Sequence, residues 1–137
     1  MATEPSPVAP TVVAAAVIEA DGRYLITRRR KGHLEGLWEF PGGKLRPGET
    51  LPACLQRELR EELGVEVTVG EELDTITWTY PERTVVLHFF RCRLASGQLA
   101  PREGQAMAWA APDELERYPF PPADASLVAR LRSPGRP

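Results

Sequence analysis

The stretch EFPGGKLRPGETLPACLQRELREELGV, Glu39 to Val65, decides how the chain is read. Its second half predicts a helix over Thr50 to Leu63. Thr50 stands where an N-cap belongs, Pro52 is tolerated in the first turn, and Gly64 ends the helix. Leu51, Leu55, Leu59 and Leu63 recur every four residues, so that face must be buried against a sheet or another helix. On the same helix Glu58, Glu61 and Glu62 stand at i, i+3 and i+4, neighbours on its surface. At ~100° per residue, Glu62 lies ~40° from the centre of the leucine stripe, Glu58 ~80° and Glu61 ~140°. Two acids therefore border the buried face.

The plain explanation is a solvated acidic helix on which Arg57 and Arg60 pair with the glutamates, each pair contributing only ~0.3–0.5 kcal/mol. Against it, like charges at i, i+4 repel, and a carboxylate near a core without a partner costs several kcal/mol. A divalent cation removes that cost. Three hard oxygen ligands plus waters suit magnesium or manganese, which favour phosphate co-ligands. Upstream, Pro41-Gly42-Gly43 and Pro47-Gly48 are expected as turns without bulk, where backbone groups can approach a metal or a phosphate closely. Gly43-Lys44 is not a phosphate-binding loop of the GxxxxGK[ST] kind, because that spacing is absent.

Outward from this helix, Thr11 to Ile18 is an apolar run of strand length, Asp21-Gly22 signals a hairpin, and Arg23 to Arg29 is the returning strand. Arg30 to Leu37 reads as a polar loop, and Trp38 to Phe40 as a short apolar piece. Val65 to Val69, Leu73 to Tyr80 and Arg83 to Leu94 read as strands, with a turn at Pro81-Glu82. Ala106 to Ala110 is an expected edge strand, Pro112 opens a short helix, and Ala123 to Arg132 is a last amphipathic helix packing through Leu127, Ala129 and Leu131. The expected class is α/β, a mixed β-sheet flanked by helices. One domain is expected over residues 11–132, between a proline-rich leader (1–10) and a loose tail (133–137).

Composition sets the outer limits. The chain has 137 residues, 42% of them hydrophobic and 26% charged, which excludes collagenous, disordered and disulfide-scaffold classes. One core is expected at this length. The longest apolar run is far short of the ~20 residues that span a bilayer, and no basic flank precedes an apolar stretch at the N-terminus, so neither membrane nor secretory signal is expected. Seventeen basic against nineteen acidic residues argue against binding duplex nucleic acid. Two isolated cysteines, Cys54 and Cys92, fit a reducing cytoplasm.

Gly43, Glu49, Arg57-Glu58-Leu59, Arg60, Glu61-Glu62, Leu63 and Gly64-Val65 match the fixed positions of the Nudix box, and the chain resembles that hydrolase family. The resemblance implies an α/β/α sandwich, dependence on Mg2+ or Mn2+, and hydrolysis of a nucleoside diphosphate linked to another group. Over residues 11–132 the chain is similar to the MutT branch, which clears oxidised nucleoside triphosphates from the pool that feeds DNA replication. The shared pieces are Ile26-Thr27-Arg28-Arg29, Glu39-Phe40-Pro41-Gly42-Gly43-Lys44, Tyr80-Pro81-Glu82-Arg83, Glu103-Gly104-Gln105 and Phe120-Pro121-Pro122-Ala123-Asp124. By that similarity Glu58, Glu61, Glu62 and the Gly42 carbonyl would bind metal, and Glu103 would approach from a separate loop as a further ligand or base. Arg57 would brace the acids and Glu49 would orient them. Water attack at the β-phosphorus, with Glu58 or Glu103 taking the proton, would give a nucleoside monophosphate and pyrophosphate.

For the substrate, the resemblance implies that Phe40 stacks on the base, while Arg29 (or Arg28), Lys44 and Arg83 contact base or phosphate. Asp124 departs from the MutT pattern, which has asparagine there. An ionised aspartate can only accept hydrogen bonds, so it suits an exocyclic amine better than a guanine carbonyl. Relatives that hydrolyse CTP and modified cytidine nucleotides carry aspartate in this stretch. The expected substrate is 8-oxo-dGTP, with CTP or a modified cytidine triphosphate as the alternative. Pro81, sixteen residues after Val65, also fits an ADP-ribose pyrophosphatase, and a catalytically silent nucleotide sensor is the non-enzyme alternative. A monomer is expected, a dimer being the alternative. His33 and His88 are expected at the surface, and Trp38, Trp78 and Trp109 in packing.

Overall fold

A computed structural model describes residues 9–32 and 34–132. Most of the expected leader, the tail and His33 lie outside the described residues. The strand Thr11–Ala20 (β1) is the centre of the molecule. It turns at Asp21 and Gly22, both with positive φ (53° and 76°), into Arg23–Arg28 (β2), the hairpin that an Asp-Gly pair favours. On its other side β1 runs parallel to Arg83–Gly97 (β6), with Ala14 opposite His88 and Ala16 opposite Phe90. Trp38–Glu39 (β3) and Met107–Ala110 (β7) pair with β2, and Gly42–Lys44 (β4) pairs antiparallel with β1. The path β3-β2-β1-β6-β5 mixes parallel and antiparallel pairs, as expected.

Val65–Tyr80 (β5) is one strand, not two. The polar segment Gly70-Glu71-Glu72 is absorbed as a break in register against β6, with shifts between Val69 and Glu72 and between Glu72 and Asp74. Such bulges let a strand pass a poor β sequence without ending.

Two apolar layers sandwich the sheet. The helix Leu51–Leu63 (α1) lays Cys54, Leu55, Leu59 and Leu63, all at 0% exposure, on Ala14, Ala16, Ile18 and Phe90. The alanines of β1 keep that contact close. Thr50 caps the helix by accepting from Ala53 N, and Gly64 ends it in the left-handed region at φ 70°. The opposite face carries the second layer, where Leu127, Val128 and Leu131 of Ala125–Arg132 (α2) pack on Val17, Ile26 and Phe89. Val128 takes the place expected of Ala129, which is exposed. Before α2, Pro112–Arg117 and Pro122–Asp124 are 3-10 turns, each opened by a proline. Trp38 and Trp109 pack against the two layers, but Trp78, expected in packing, is 39% exposed.

Candidate active site

The segment Pro41-Gly42-Gly43 is not the sharp turn its composition suggests. It enters β4, with Ala16 N donating to Pro41 O at 2.7 Å and Leu45 N donating to Val12 O at 2.9 Å. Alternate residues of an antiparallel ladder bond the neighbour; with Pro41 and Leu45 both bonded to β1, the Gly42 carbonyl faces away from it. Gly43 has a different reason to be glycine: a Cβ there would collide with the Glu58 carboxylate. The edge of the sheet thus comes directly against the acidic face of α1.

Arg57, only 15% exposed, organises that face. Its Nε donates to Glu49 Oε2 at 2.6 Å and its Nη2 to Glu49 Oε1 at 2.9 Å, a two-pronged pair of the strong kind. Its Nη1 donates to Glu58 Oε2 at 2.7 Å and to Glu61 Oε1 at 3.3 Å, and its Nη2 also reaches the Lys44 carbonyl at 3.1 Å. Glu49 further accepts from Arg46 N at 2.9 Å. Hydrogen bonding from Arg57 holds the Glu49 carboxyl down at about 2. These bonds join β4, the loop before α1 and the helix itself through one guanidinium.

Glu62 has the opposite environment. Burial pushes its carboxyl well above the ordinary range, and a hydrogen bond with Glu58 plus the charges of Glu58, Glu39 and Glu103 push it further. Among the described residues no three of His, Cys, Asp or Glu stand gathered into a ready ligand set, and Glu58 and Glu61 are paired with Arg57. The donor chemistry nevertheless fits a hard divalent ion: a desolvated carboxyl in contact with a second one, and a carbonyl on an open strand edge.

Glu58, Glu62, Glu103, Gly42 and Gly43 line a cavity of about 920 Å³. Glu61 does not line it. With 47% of its side chain exposed it sits on the outer flank, paired with Arg57 and, at 3.8 Å, Arg46. The same cavity is lined by Phe40, Val85, Leu87, Phe89, Tyr80 and Asp124. Asp124 is 5% exposed, and burial together with the Glu39 charge pushes its carboxyl up to about 7, against the pull of Arg29. Arg29 Nη2 donates to Glu39 Oε1 at 2.8 Å. Glu39 is itself raised, mainly by burial. Phe40 is 3% exposed, lies nearly parallel to Phe120 at 5.4 Å and meets Phe89 edge-on at 6.1 Å. Its ring is part of the wall, with one face already covered by Phe120.

Arg28, Arg29, Lys44 and Arg83 all line this cavity, so both arginines left open in the sequence are present. Arg28 Nε is engaged with the Gly36 carbonyl at 3.2 Å, whereas Arg29 bonds Glu39. Sequence reasoning missed Glu39, Arg30 and Gln105, all of which line the cavity. Glu39 and Gln105 stood inside quoted motifs, but nothing local says that they are placed among acids from other elements. His88 lies on β6 and pairs with Glu72 at 2.7 Å, away from the cavity. Both cysteines are buried free thiols, burial raising Cys54 to about 11 and Cys92 to about 12. No helix of the described residues is long and apolar enough to cross a membrane.

A mixed sheet between helices, with an arginine-braced acidic helix facing a strand edge of glycines, is the frame of a phosphoanhydride hydrolase, and the chain belongs to the Nudix family: residues 13–130 match the NUDIX domain. It is 43% identical over 117 residues to the CTP pyrophosphohydrolase of Escherichia coli K12, covering 85% of this chain and 87% of the relative. It is 36% identical over 121 residues to the 8-oxo-dGTP diphosphatase of Haemophilus influenzae, covering 87% and 89%. The crystal structure of the MutT NUDIX hydrolase from Burkholderia pseudomallei superposes with a TM-score of 0.81 at 26% identity, covering 89% of this chain and 98% of that one.

Proposed function

We propose that this chain hydrolyses nucleoside triphosphates to nucleoside monophosphate and pyrophosphate, clearing modified nucleotides from the cytoplasmic pool as a monomeric domain of residues 11–132. The observation that carries this is the lining of one cavity, shared by the acids Glu58, Glu62 and Glu103, by Asp124, and by the basic side chains of Arg29, Lys44 and Arg83. A triphosphate with its base spans such a site; its phosphates meet the acids only through cations.

Glu58, Glu62, Glu103 and the Gly42 carbonyl would hold Mg2+ or Mn2+, with Glu61 joining from the outer flank by a change of rotamer. Bound there, the metal supplies neutralisation of phosphate oxygens and a lowered pKa for water. The residues do the rest. Arg57 keeps Glu58 oriented through a short charge-assisted bond. Glu58 or Glu103 accepts the proton of the attacking water, being ionisable groups at the cavity wall. Lys44 and Arg83 offset charge along the phosphate chain.

Base preference follows from Asp124. Protonated, it donates to a guanine carbonyl and suits 8-oxo-dGTP; ionised, it accepts from the exocyclic amine of a cytidine nucleotide. With its carboxyl at about 7, both forms are populated near neutral pH. The cytidine reading is favoured by the aspartate itself and by the 43% identity to a CTP pyrophosphohydrolase. Pyrophosphate release is to be measured over canonical and modified triphosphates and ADP-ribose, with magnesium and with EDTA. Metal-dependent release from a triphosphate supports the proposal. Nucleotide binding without turnover replaces it with a sensor, and turnover of ADP-ribose alone replaces the substrate class.

A further inference from the structure

Glu103 is distant in sequence from α1, and something must set where its loop stops. The loop after β6 returns along the C-terminal end of α1, where helix carbonyls lack partners within the helix. Ala100 N donates to Leu63 O at 3.0 Å and Arg102 N to Glu62 O at 2.9 Å. Past Arg102 the main chain makes no further bond to α1; it turns through Gly104, at φ 73°, with Gly104 N donating to Pro101 O at 2.9 Å. The remaining hold on Glu103 comes from side chains. Arg30 Nη1 donates to the Glu103 carbonyl at 2.7 Å from the exposed side. From the buried side, Gln105 accepts from Glu103 N through Oε1 at 3.0 Å, while its Nε2 donates to the Glu62 carbonyl at 3.2 Å.

We infer that Gln105 is the positioning residue for Glu103: its carboxamide clips the acid-bearing loop to the last turn of α1 and so sets Glu103 against Glu58 and Glu62. Gln105 is 8% exposed, so both bonds are sheltered from competing water. The orientation of the carboxamide is unique, because a main-chain N–H can only donate and a carbonyl can only accept. Few side chains serve here. A glutamate would keep the acceptor, lose the donor, and add another carboxylate to a region where Glu58, Glu39 and Glu103 already burden Glu62. A lysine or arginine would lose the acceptor, and asparagine is one methylene shorter. One clip joins two main-chain atoms whose residues both carry acids that line the cavity, so a small change in it alters their separation directly.

The kinetic part rests on the proposed hydrolase reading, and the structural part does not. Gln105→Leu, close in volume, removes both bonds; Gln105→Glu keeps only the acceptor. Hydrogen exchange followed by mass spectrometry over residues 99–107 should show the Glu103 amide exchanging faster in Gln105→Leu, with protection retained in part by Gln105→Glu. In pyrophosphate release with magnesium, kcat should fall about 10- to 100-fold, as for other residues that orient a reacting group, with KM little changed. In a Glu103→Gln background, Gln105→Leu should cost nothing further, because the clip acts through Glu103. The same loss in both backgrounds, or unchanged exchange at Glu103, overturns the inference. Should Gln105→Leu fail to fold, Gln105→Glu carries the same cycle. If the unaltered protein releases no pyrophosphate from any triphosphate, the hydrolase reading fails, while the exchange experiment still decides whether the clip exists.

Discussion

Replacing Asp124 by asparagine should remove a pH dependence of stability that the buried carboxyl imposes. Asp124 is 5% exposed, and its carboxyl rises from an ordinary 3.8 to about 7 through burial and the charge of Glu39, with Arg29 only partly offsetting them. A folded-state value above the unfolded one means that the native protein binds the proton more tightly. The contribution is therefore fully present below about pH 4, and is lost as pH rises through 4 to 7. In full the loss is about 4 kcal/mol. Integrated from about pH 5.5 to about pH 8.5, it is about 2 kcal/mol, or about 6–10 °C in Tm for a domain of this size. Asparagine does not titrate, so the Asp124→Asn protein should lack this component. Glu39 and Glu62 also titrate from raised values, but they do so in both proteins and largely cancel in the difference. The assay is urea unfolding of both proteins at several pH values, without added metal. Parallel stability curves would refute the reasoning, showing Asp124 to be solvated or paired in the folded protein. The same pair of proteins tests base selection, where the ratio of kcat/KM for 8-oxo-dGTP over CTP should fall with rising pH only in the aspartate form.

Glu62→Gln should abolish pyrophosphate release and the rise in Tm on adding magnesium, while Tm in EDTA changes little, since a neutral carboxamide can keep the hydrogen bond to Glu58; retained turnover at low magnesium would remove Glu62 from the metal site. Arg57→Ala should cost about 2–3 kcal/mol of stability by urea unfolding, because it frees Glu49 and Glu58 from charge-assisted bonds in a half-buried place; a loss under half of that would make the pairing a surface one. Leu59→Ala, at 0% exposure on the buried face of α1, should cost about 2–5 kcal/mol in the same measurement. Gly43→Ala should lower kcat through displacement of Glu58, against which its Cβ would press, and unchanged kcat would show that the carboxylate moves aside freely.

The amino-acid sequence alone determines much of this protein. The period of Leu51, Leu55, Leu59 and Leu63 marks a helix with one buried face, Asp21-Gly22 marks a hairpin, and Glu58, Glu61 and Glu62 mark an acidic surface on that helix. The division of those acids also holds, with Glu58 and Glu62 partly buried and Glu61 on the exposed flank. These are local facts, set by bond geometry and side-chain spacing within a few residues. The tertiary structure decided what depends on approach across the chain. Gly42–Lys44 is a strand because β1 offers an unpaired edge, and Gly70-Glu71-Glu72 stays in β5 because β6 supplies a ladder to bulge against. Phe40 is a wall because Phe120 returns to cover it. Asp124, Glu39 and Gln105 acquire their character from burial and from groups that other elements of the chain bring beside them, Glu39 beside Asp124, Glu103 beside Glu39 and the Glu62 carbonyl beside Gln105. Desolvation and Coulomb interactions act through space, so no local pattern can encode their sum, and the polar groups of this cavity become legible only once the sheet has brought them together.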